Sequence, residues 1–256
     1  VNDPITSRRI AVGDREIAVK QRPGDTPSLF WLGGFKSDME GSKAIALDAF
    51  AEDKGLACTR FDYSGHGVSG GDFLDGTISR WLEEALAVFA QTEGPQIIIG
   101  SSMGGWLAML LNKALREAGE TRIAGIVLIA PAIDMTQDLM RATFTDQERR
   151  DLVEKGRVEQ PSDYSDEPYV LTRDLIEDGE KHLMFGAPIE TGCPVHILQG
   201  ARDTDVPADH AIKLLSHLML DPVTFTLVPE GDHRLSTPED LDRLRAAISA
   251  MLRPQE

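Results

Sequence analysis

Cysteine is scarce: Cys58, inside an apolar stretch, and Cys193, just before Pro194, are the only two in 256 residues. That number excludes a disulfide framework, and both thiols are expected as small buried hydrophobes of a reducing compartment. Long apolar runs are missing, since no segment approaches the ~18 residues needed to cross a bilayer. Val1-Asn2-Asp3-Pro4 carries no hydrophobic signal segment and no Arg-rich transit pattern. A cytoplasmic location with no membrane span is the resulting expectation. Positive charge is in deficit, 26 Lys plus Arg against 42 Asp plus Glu, for a net charge of −16. Such a surface repels polyphosphate and anionic lipid, so no nucleic-acid partner is expected. There is no His-x-x-x-His pair, no Cys-x-x-Cys pair and no Gly-x-x-x-x-Gly-Lys loop. Metal and nucleotide sites are therefore not expected. Gly65, Gly67, Gly70 and Gly71 lack the spacing that opens a helix under a phosphate.

What is present describes an ordinary globular chain, 41% apolar and 27% charged. It is long enough for one large domain and too short to require two, so a single domain is expected over residues 1–256. Ile10, Val12, Ile17 and Val19 alternate around Gly13-Asp14, which predicts an opening hairpin. Short runs of β-formers then alternate with helical patterns. The expected strands are Leu29 to Leu32, Ala57 to Asp62, Gln96 to Ser101, Ile123 to Ala130, Val195 to Gln199 and Val223 to Val228. Between them, Ile78, Trp81, Leu82, Ala85, Leu86 and Phe89 mark one face of a helix after Thr77. Thr237-Pro238 opens another, which carries Leu241, Leu244, Ile248 and Leu252. The alternation predicts an α/β fold, a mostly parallel sheet covered by helices on both faces.

The alternation breaks between Ala130 and Val195, a stretch with no strand signal. Thr145 to Glu148 reads as a capping box before a charged helix that stops at Gly156, and Leu175, Ile176, Leu183, Met184 and Phe185 suggest a second helix. The expectation is a small helical cap at about 134–191, set over the carboxyl ends of the strands.

Gly100-Ser101-Ser102-Met103-Gly104 lies between the apolar run Ile97 to Ile99 and an amphipathic stretch from Trp106. A serine raised on a strand-to-helix turn needs small neighbours two residues before and after it. Ser102 has them, whereas Ser101 has Ile99 at that distance. The pattern alone arises by chance in roughly one chain in ten at ordinary glycine and serine usage, so its partners must carry the claim. They are expected in the order acid, then histidine, at later strand ends. Asp203 and Asp205 lie in the loop after Val195 to Gln199, and His233 in the loop after Val223 to Val228. His233 is the expected base, because His66 precedes the serine and the other histidines fall on a strand, on helices or in the cap. Asp203, at the immediate strand end, is the expected acid, and Asp205 its rival. The backbone N–H groups of Met103, at a helix start, and of Phe35, in Gly33-Gly34-Phe35, are the expected oxyanion donors.

With Asp62-Tyr63-Ser64-Gly65-His66-Gly67 added, this series of motifs resembles the α/β-hydrolase fold from Arg9 to Leu252. Phe61-Asp62-Tyr63-Ser64-Gly65, Gly94-Pro95-Gln96, Gly100 to Leu107, Cys193-Pro194-Val195 and Gly231-Asp232-His233-Arg234 are similar to one branch of it. That branch is the mitochondrial palmitoyl-protein thioesterase that also hydrolyses acyl glucuronides, with its bacterial relatives. The resemblance implies a Ser102, Asp203, His233 triad that cleaves acyl esters or thioesters without metal or organic cofactor. Gly33 stands where many such hydrolases carry histidine, so the support of the following loop is expected to differ. Met140, Phe144, Leu183 and Phe185 are candidates for an acyl pocket. A small molecule or acyl chain is the expected partner, and no oligomeric state can be read. An amide-cleaving hydrolase and a non-catalytic ligand-binding protein on the same fold are the alternatives.

Overall fold

Leu29 to Leu32, Ile97 to Ile99 and Ile126 to Ile129 are apolar at every position, a pattern that suits only strands covered on both faces. The computed structural model describes residues 5–161 and 168–252; Val1 to Pro4, where no signal segment was read, lie outside them. Its strands are β1 (Thr6–Val12), β2 (Arg15–Arg22), β3 (Asp25–Leu32), β4 (Leu56–Phe61), β5 (Gln96–Ser101), β6 (Ile123–Ile129), β7 (Arg157–Gln160), β8 (Tyr169–Thr172), β9 (Val195–Gly200) and β10 (Val223–Val228). Its helices are α1 (Ser42–Lys54), α2 (Ile78–Phe89), α3 (Met103–Glu117), α4 (Asp146–Lys155), α5 (Arg173–Gly179), α6 (Ala208–His217) and α7 (Pro238–Met251). Eight strands form one sheet in the order β1-β2-β4-β3-β5-β6-β9-β10. Pairing is parallel from β4 to β10, and β1 and β2 are added antiparallel.

The strand period of two sorts the apolar side chains onto two cores. Phe30, Leu32, Ile98, Ile126 and Leu128 face α2, α3 and α6, whereas Leu29, Trp31, Ile97, Ile99, Val127 and Ile129 face α1 and α7. A fully buried residue of this size contributes roughly 1.5–3 kcal/mol, so tertiary burial rather than local propensity holds the helices in place. The helix starts follow the sequence signals. Thr77 accepts from the Arg80 N–H, and Thr145 with Glu148 and Thr237 with Asp240 close capping boxes. α3 differs from expectation, because every residue from Met103 to Asn112 is buried and its first turns have no solvent face.

The stretch between β6 and β9 is not purely helical. Arg157–Gln160 and Tyr169–Thr172 pair as a small antiparallel sheet, and Leu183 to Phe185 follow a short 3-10 turn without helix. The strands escaped notice because each is four residues long and buries one side chain fully, Val158 or Leu171. These two join Phe144 and Ile176 in a separate small core. Among the described residues no helix is long and apolar enough to cross a membrane.

The loop after β4 is held by buried polar groups. Asp62 accepts from the N–H groups of Met39 (2.7 Å) and Val68 (2.9 Å), and Glu84 of α2 accepts from the Ser64 N–H at 2.8 Å. His66 lies under this loop among the rings of Tyr63, Phe73 and Trp81 and is 4% exposed. Its Nδ1 is 3.1 Å from the Ser64 carbonyl, which can only accept, so the proton sits there. The bare Nε2 then accepts the Lys36 N–H at 3.2 Å.

Burial pushes the His66 imidazole down to about 4, against ~6.5 in an unfolded chain. The stability gained from keeping it neutral is thus fully present above about pH 6.5 and is lost as pH falls through about 4. At about 1.4 kcal/mol per pH unit the contribution is up to about 3 kcal/mol. Denaturant titrations between pH 7 and 4 are expected to show a shallower acid loss in His66→Gln than in the parent chain. Equal slopes would contradict this account.

Candidate active site

Ser102 sits between β5 and α3 with φ 55° and ψ −120°, outside the regions an L-residue occupies freely. Strain of this kind costs about 1–3 kcal/mol and persists only when the surroundings enforce it. Here the enforcement is backbone contact. A Cβ on Gly100 would stand 2.3 Å from the Gly104 carbonyl oxygen, and one on Gly104 would stand 2.1 Å from that of Leu32. The Ser102 N–H donates to the Ile129 carbonyl at 2.9 Å, which anchors the turn to β6.

The loop after β9 and the loop after β10 meet in the same way. A Cβ on Gly200 would lie 2.5 Å from the carbonyl oxygens of both Gly231 and Asp232. That approach brings His233 onto Asp203, with Nδ1 2.9 Å from Oδ2 and Nε2 3.1 Å from the Ser102 Oγ. The Asp203 side chain has no exposed surface. Its Oδ1 accepts from the N–H groups of Asp205 (3.0 Å) and Val206 (2.8 Å), and its Oδ2 also accepts from the Gln199 amide at 3.2 Å. With Asp203 Oδ2 accepting at Nδ1, the imidazole proton sits there and Nε2 is left to accept from the serine.

Asp205 therefore supports Asp203 through its backbone. Asp232 accepts from the N–H groups of Arg234 and Leu235, both at 3.0 Å, and so shapes the turn that carries His233. The remaining histidines lie elsewhere: His182 on Ser79 (2.7 Å), His196 on Thr226 (2.9 Å), His210 on the Ile133 carbonyl (2.8 Å) and His217 on the Phe185 carbonyl (3.1 Å). Burial lowers the proton affinity of His182, His196 and His210. Gln199 and His66 carry parts of the site that the sequence reading did not assign. Their signals were a glutamine closing an apolar strand and a histidine between two loop glycines.

The turn after β3 lies against the serine, since a Cβ on Gly34 would be 3.4 Å from the Ser102 Cβ. Phe35 follows, its ring packed on Phe73, Trp81 and Tyr169 at 4.9, 6.0 and 5.9 Å. Because His66 accepts the next N–H, Lys36, a side chain from the β4 loop supports this turn. Met103 is the first residue of α3, where N–H groups have no partner within the helix.

A cleft of about 680 Å³ opens above Ser102 and His233. Met135, Leu139, Met140 and Leu171 line it from the stretch between β6 and β9. Of the four residues expected around an acyl group, Met140 alone reaches it. Phe144 is buried in the small core with Val158, Leu183 is 45% exposed, and Phe185 packs edge-on or tilted against His210 and His217. Helical spacing misplaced Leu183 and Phe185 because no helix runs there. Asp203, Asp205 and His233 are the only described group with ligand atoms close enough for a metal, all within 4.8 Å. Asp203 and His233 are already bonded to each other, and a cation would have to break that bond.

Residues 23–248 match the family model described as the alpha/beta hydrolase family. Mouse mitochondrial palmitoyl-protein thioesterase ABHD10 is 32% identical over 238 residues, covering 92% of this chain and 78% of that protein. Two solved structures superpose closely. A protein from Agrobacterium vitis S4 named as a hydrolase gives a TM-score of 0.95 at 50% identity, covering 98% of this chain and 100% of that one. Mouse alpha/beta hydrolase domain-containing protein 10 gives 0.86 at 29%, covering 96% and 98%. With this fold and this likeness along nearly its whole described length, the chain belongs to the alpha/beta hydrolase family.

Proposed function

We propose that the protein is a serine hydrolase that cleaves acyl esters or thioesters through an acyl-enzyme intermediate. The carrying observation is the continuous line from Asp203 Oδ2 through His233 to Ser102 Oγ, with steps of 2.9 and 3.1 Å. Ser102 Oγ attacks the acyl carbonyl while His233 Nε2 takes its proton, and Asp203 stabilises the imidazolium. The Met103 and Phe35 N–H groups receive the oxyanion. Collapse of the tetrahedral adduct breaks the carbonyl C–O or C–S bond, and His233 returns the proton to the leaving group. Water, activated by the same imidazole, then releases the acid.

A thiolate departs with little need of that proton and an amine requires it, which favours ester and thioester substrates over amides. The printed name of the ABHD10 relatives, palmitoyl-protein thioesterase, points the same way. The apolar wall of Met135, Leu139, Met140 and Leu171 offers room for an acyl chain.

A fluorophosphonate is expected to label Ser102 at neutral pH, and Ser102→Ala to abolish both labelling and turnover of p-nitrophenyl acyl esters. Failure of either removes the nucleophile assignment. Asp203→Asn is expected to lower kcat by about 10³–10⁴-fold, and Asp205→Asn by far less; steady-state kinetics showing the reverse would transfer the acid role to Asp205. Filling the cleft with Met140→Trp is expected to cut kcat/KM about tenfold for dodecanoyl relative to butanoyl esters, and an unchanged ratio would place the chain elsewhere.

A further inference from the structure

β10 is an end strand of the eight-stranded sheet and is hydrogen-bonded to β9 alone. Two bonds fix which of its backbone groups that pairing uses. The Val195 N–H donates to the Pro222 carbonyl and the Ala201 N–H to the Val228 carbonyl, both at 2.9 Å. The N–H and C=O of a strand residue point to one side, and the side alternates along the strand. Pro222, Thr224, Thr226 and Val228 therefore face β9. The N–H and C=O groups of Val223, Phe225 and Leu227 face outward, and among the described residues none of them has a partner.

An open row of this kind pairs with another strand unless something guards it. The opposite edge is guarded, since β1 carries Arg8 and Arg9, both exposed. β10 has no such guard: from Pro222 to Pro229 there is no ionisable side chain, and between those two prolines there is no third. Leu227 is 46% exposed, and Met219 and Leu220, in the turn leading into β10, are 81% and 69% exposed. Pro229, next in the outward series, has no N–H and ends the row.

The row is complementary to itself. A two-fold axis perpendicular to the sheet at Phe225 sets that residue against its own copy and Val223 against Leu227, each pair exchanging both N–H···O=C bonds. Thr224 then stands opposite Thr226 at the non-hydrogen-bonded positions, a favourable cross-strand pair. Charge points to the same occupant. A chain of net charge −16 repels its copies over most of its surface, and an uncharged strip lets two of them meet without opposed carboxylates. A basic partner, by contrast, finds no carboxylate on the strand to recognise. We propose that a second copy of this chain docks on β10, joining the two sheets into one through antiparallel pairing centred on Phe225. A stable interface takes about 800 Å² from each partner, so a ladder of six residues needs flanking surface. α6 packs over β9 and β10 and carries Ile212 at 47% exposure, and the two-fold axis sets α6 on the same face of the joined sheet as its counterpart. The inference is independent of the hydrolase reading, although β10 leads directly into the loop that carries His233.

Size-exclusion chromatography with light scattering at micromolar concentration is expected to give the parent twice the mass of one chain. Phe225→Lys and Phe225→Glu each place like charges opposite one another at the axis. Each alone is expected to run as a monomer, and an equimolar mixture of the two to recover the dimer. Because Phe225 also packs against the larger core, a second measurement reads the register without altering it. Thr224→Cys chains mixed with Thr226→Cys chains are expected to form an intermolecular disulfide under mild oxidation. Either variant alone sets its thiols on a diagonal too long to bridge, and is expected to cross-link no more than the parent, whose Cys58 and Cys193 are buried. A monomeric parent overturns the proposal and leaves the edge to a strand of another protein. Folded Phe225 variants that stay dimeric on their own, or a dimeric parent whose mixed cysteine variants fail to cross-link, overturn it as well by placing the interface elsewhere.

Discussion

The Leu32 carbonyl stands where a Gly104 side chain would begin, and this contact between two backbones sets the distance between β3 and α3. Much of the candidate site depends on that distance. It holds Ser102 at φ 55°, it lays the turn after β3 beside the serine, and it points the start of α3 at the same spot. Strain in one residue is tolerated because the neighbouring elements are packed to near-solid density and cannot relax around it. The second pair of touching backbones, at Gly200 and Gly231, does for Asp203 and His233 what the first does for Ser102.

Around these contacts the protein spends buried polar groups freely, yet most are matched. Asp62, Glu84 and Asp203 are enclosed carboxylates that receive backbone N–H groups, and His66 is an enclosed neutral base that receives one. Each ties together loops from different parts of the sequence. Directional bonds of this kind fix loop positions that apolar packing alone leaves variable.

The sheet was legible because strands covered on both faces have no polar alternation, and Ile97 to Ile99 leaves little else to infer. The meeting of Ser102, Asp203 and His233 was legible because strand ends are short and glycine marks where backbones touch. The β7 and β8 pair was not, since one fully buried residue per strand gives no periodic signal. Leu183 and Phe185 were misread for the opposite reason, an apolar cluster without a helix to explain it. His66 acts through a bond to Lys36, distant in sequence, and such a bond leaves no trace in spacing, whereas Gln199 acts within its own loop on Asp203 and Val206.

The stretch between β6 and β9 is fastened to the sheet domain at a few polar points. Asp178 accepts from Ser79 of α2, the Trp106 indole of α3 donates to the His182 carbonyl, and His217 of α6 lies 3.1 Å from the Phe185 carbonyl. The residues it lends to the cleft, Leu139, Met140 and Leu171 among them, are not those fasteners. Substitutions at these positions can therefore accumulate over evolutionary time while the loops that carry Ser102, Asp203 and His233 stay in register. Such a division of labour lets one scaffold carry differently lined clefts.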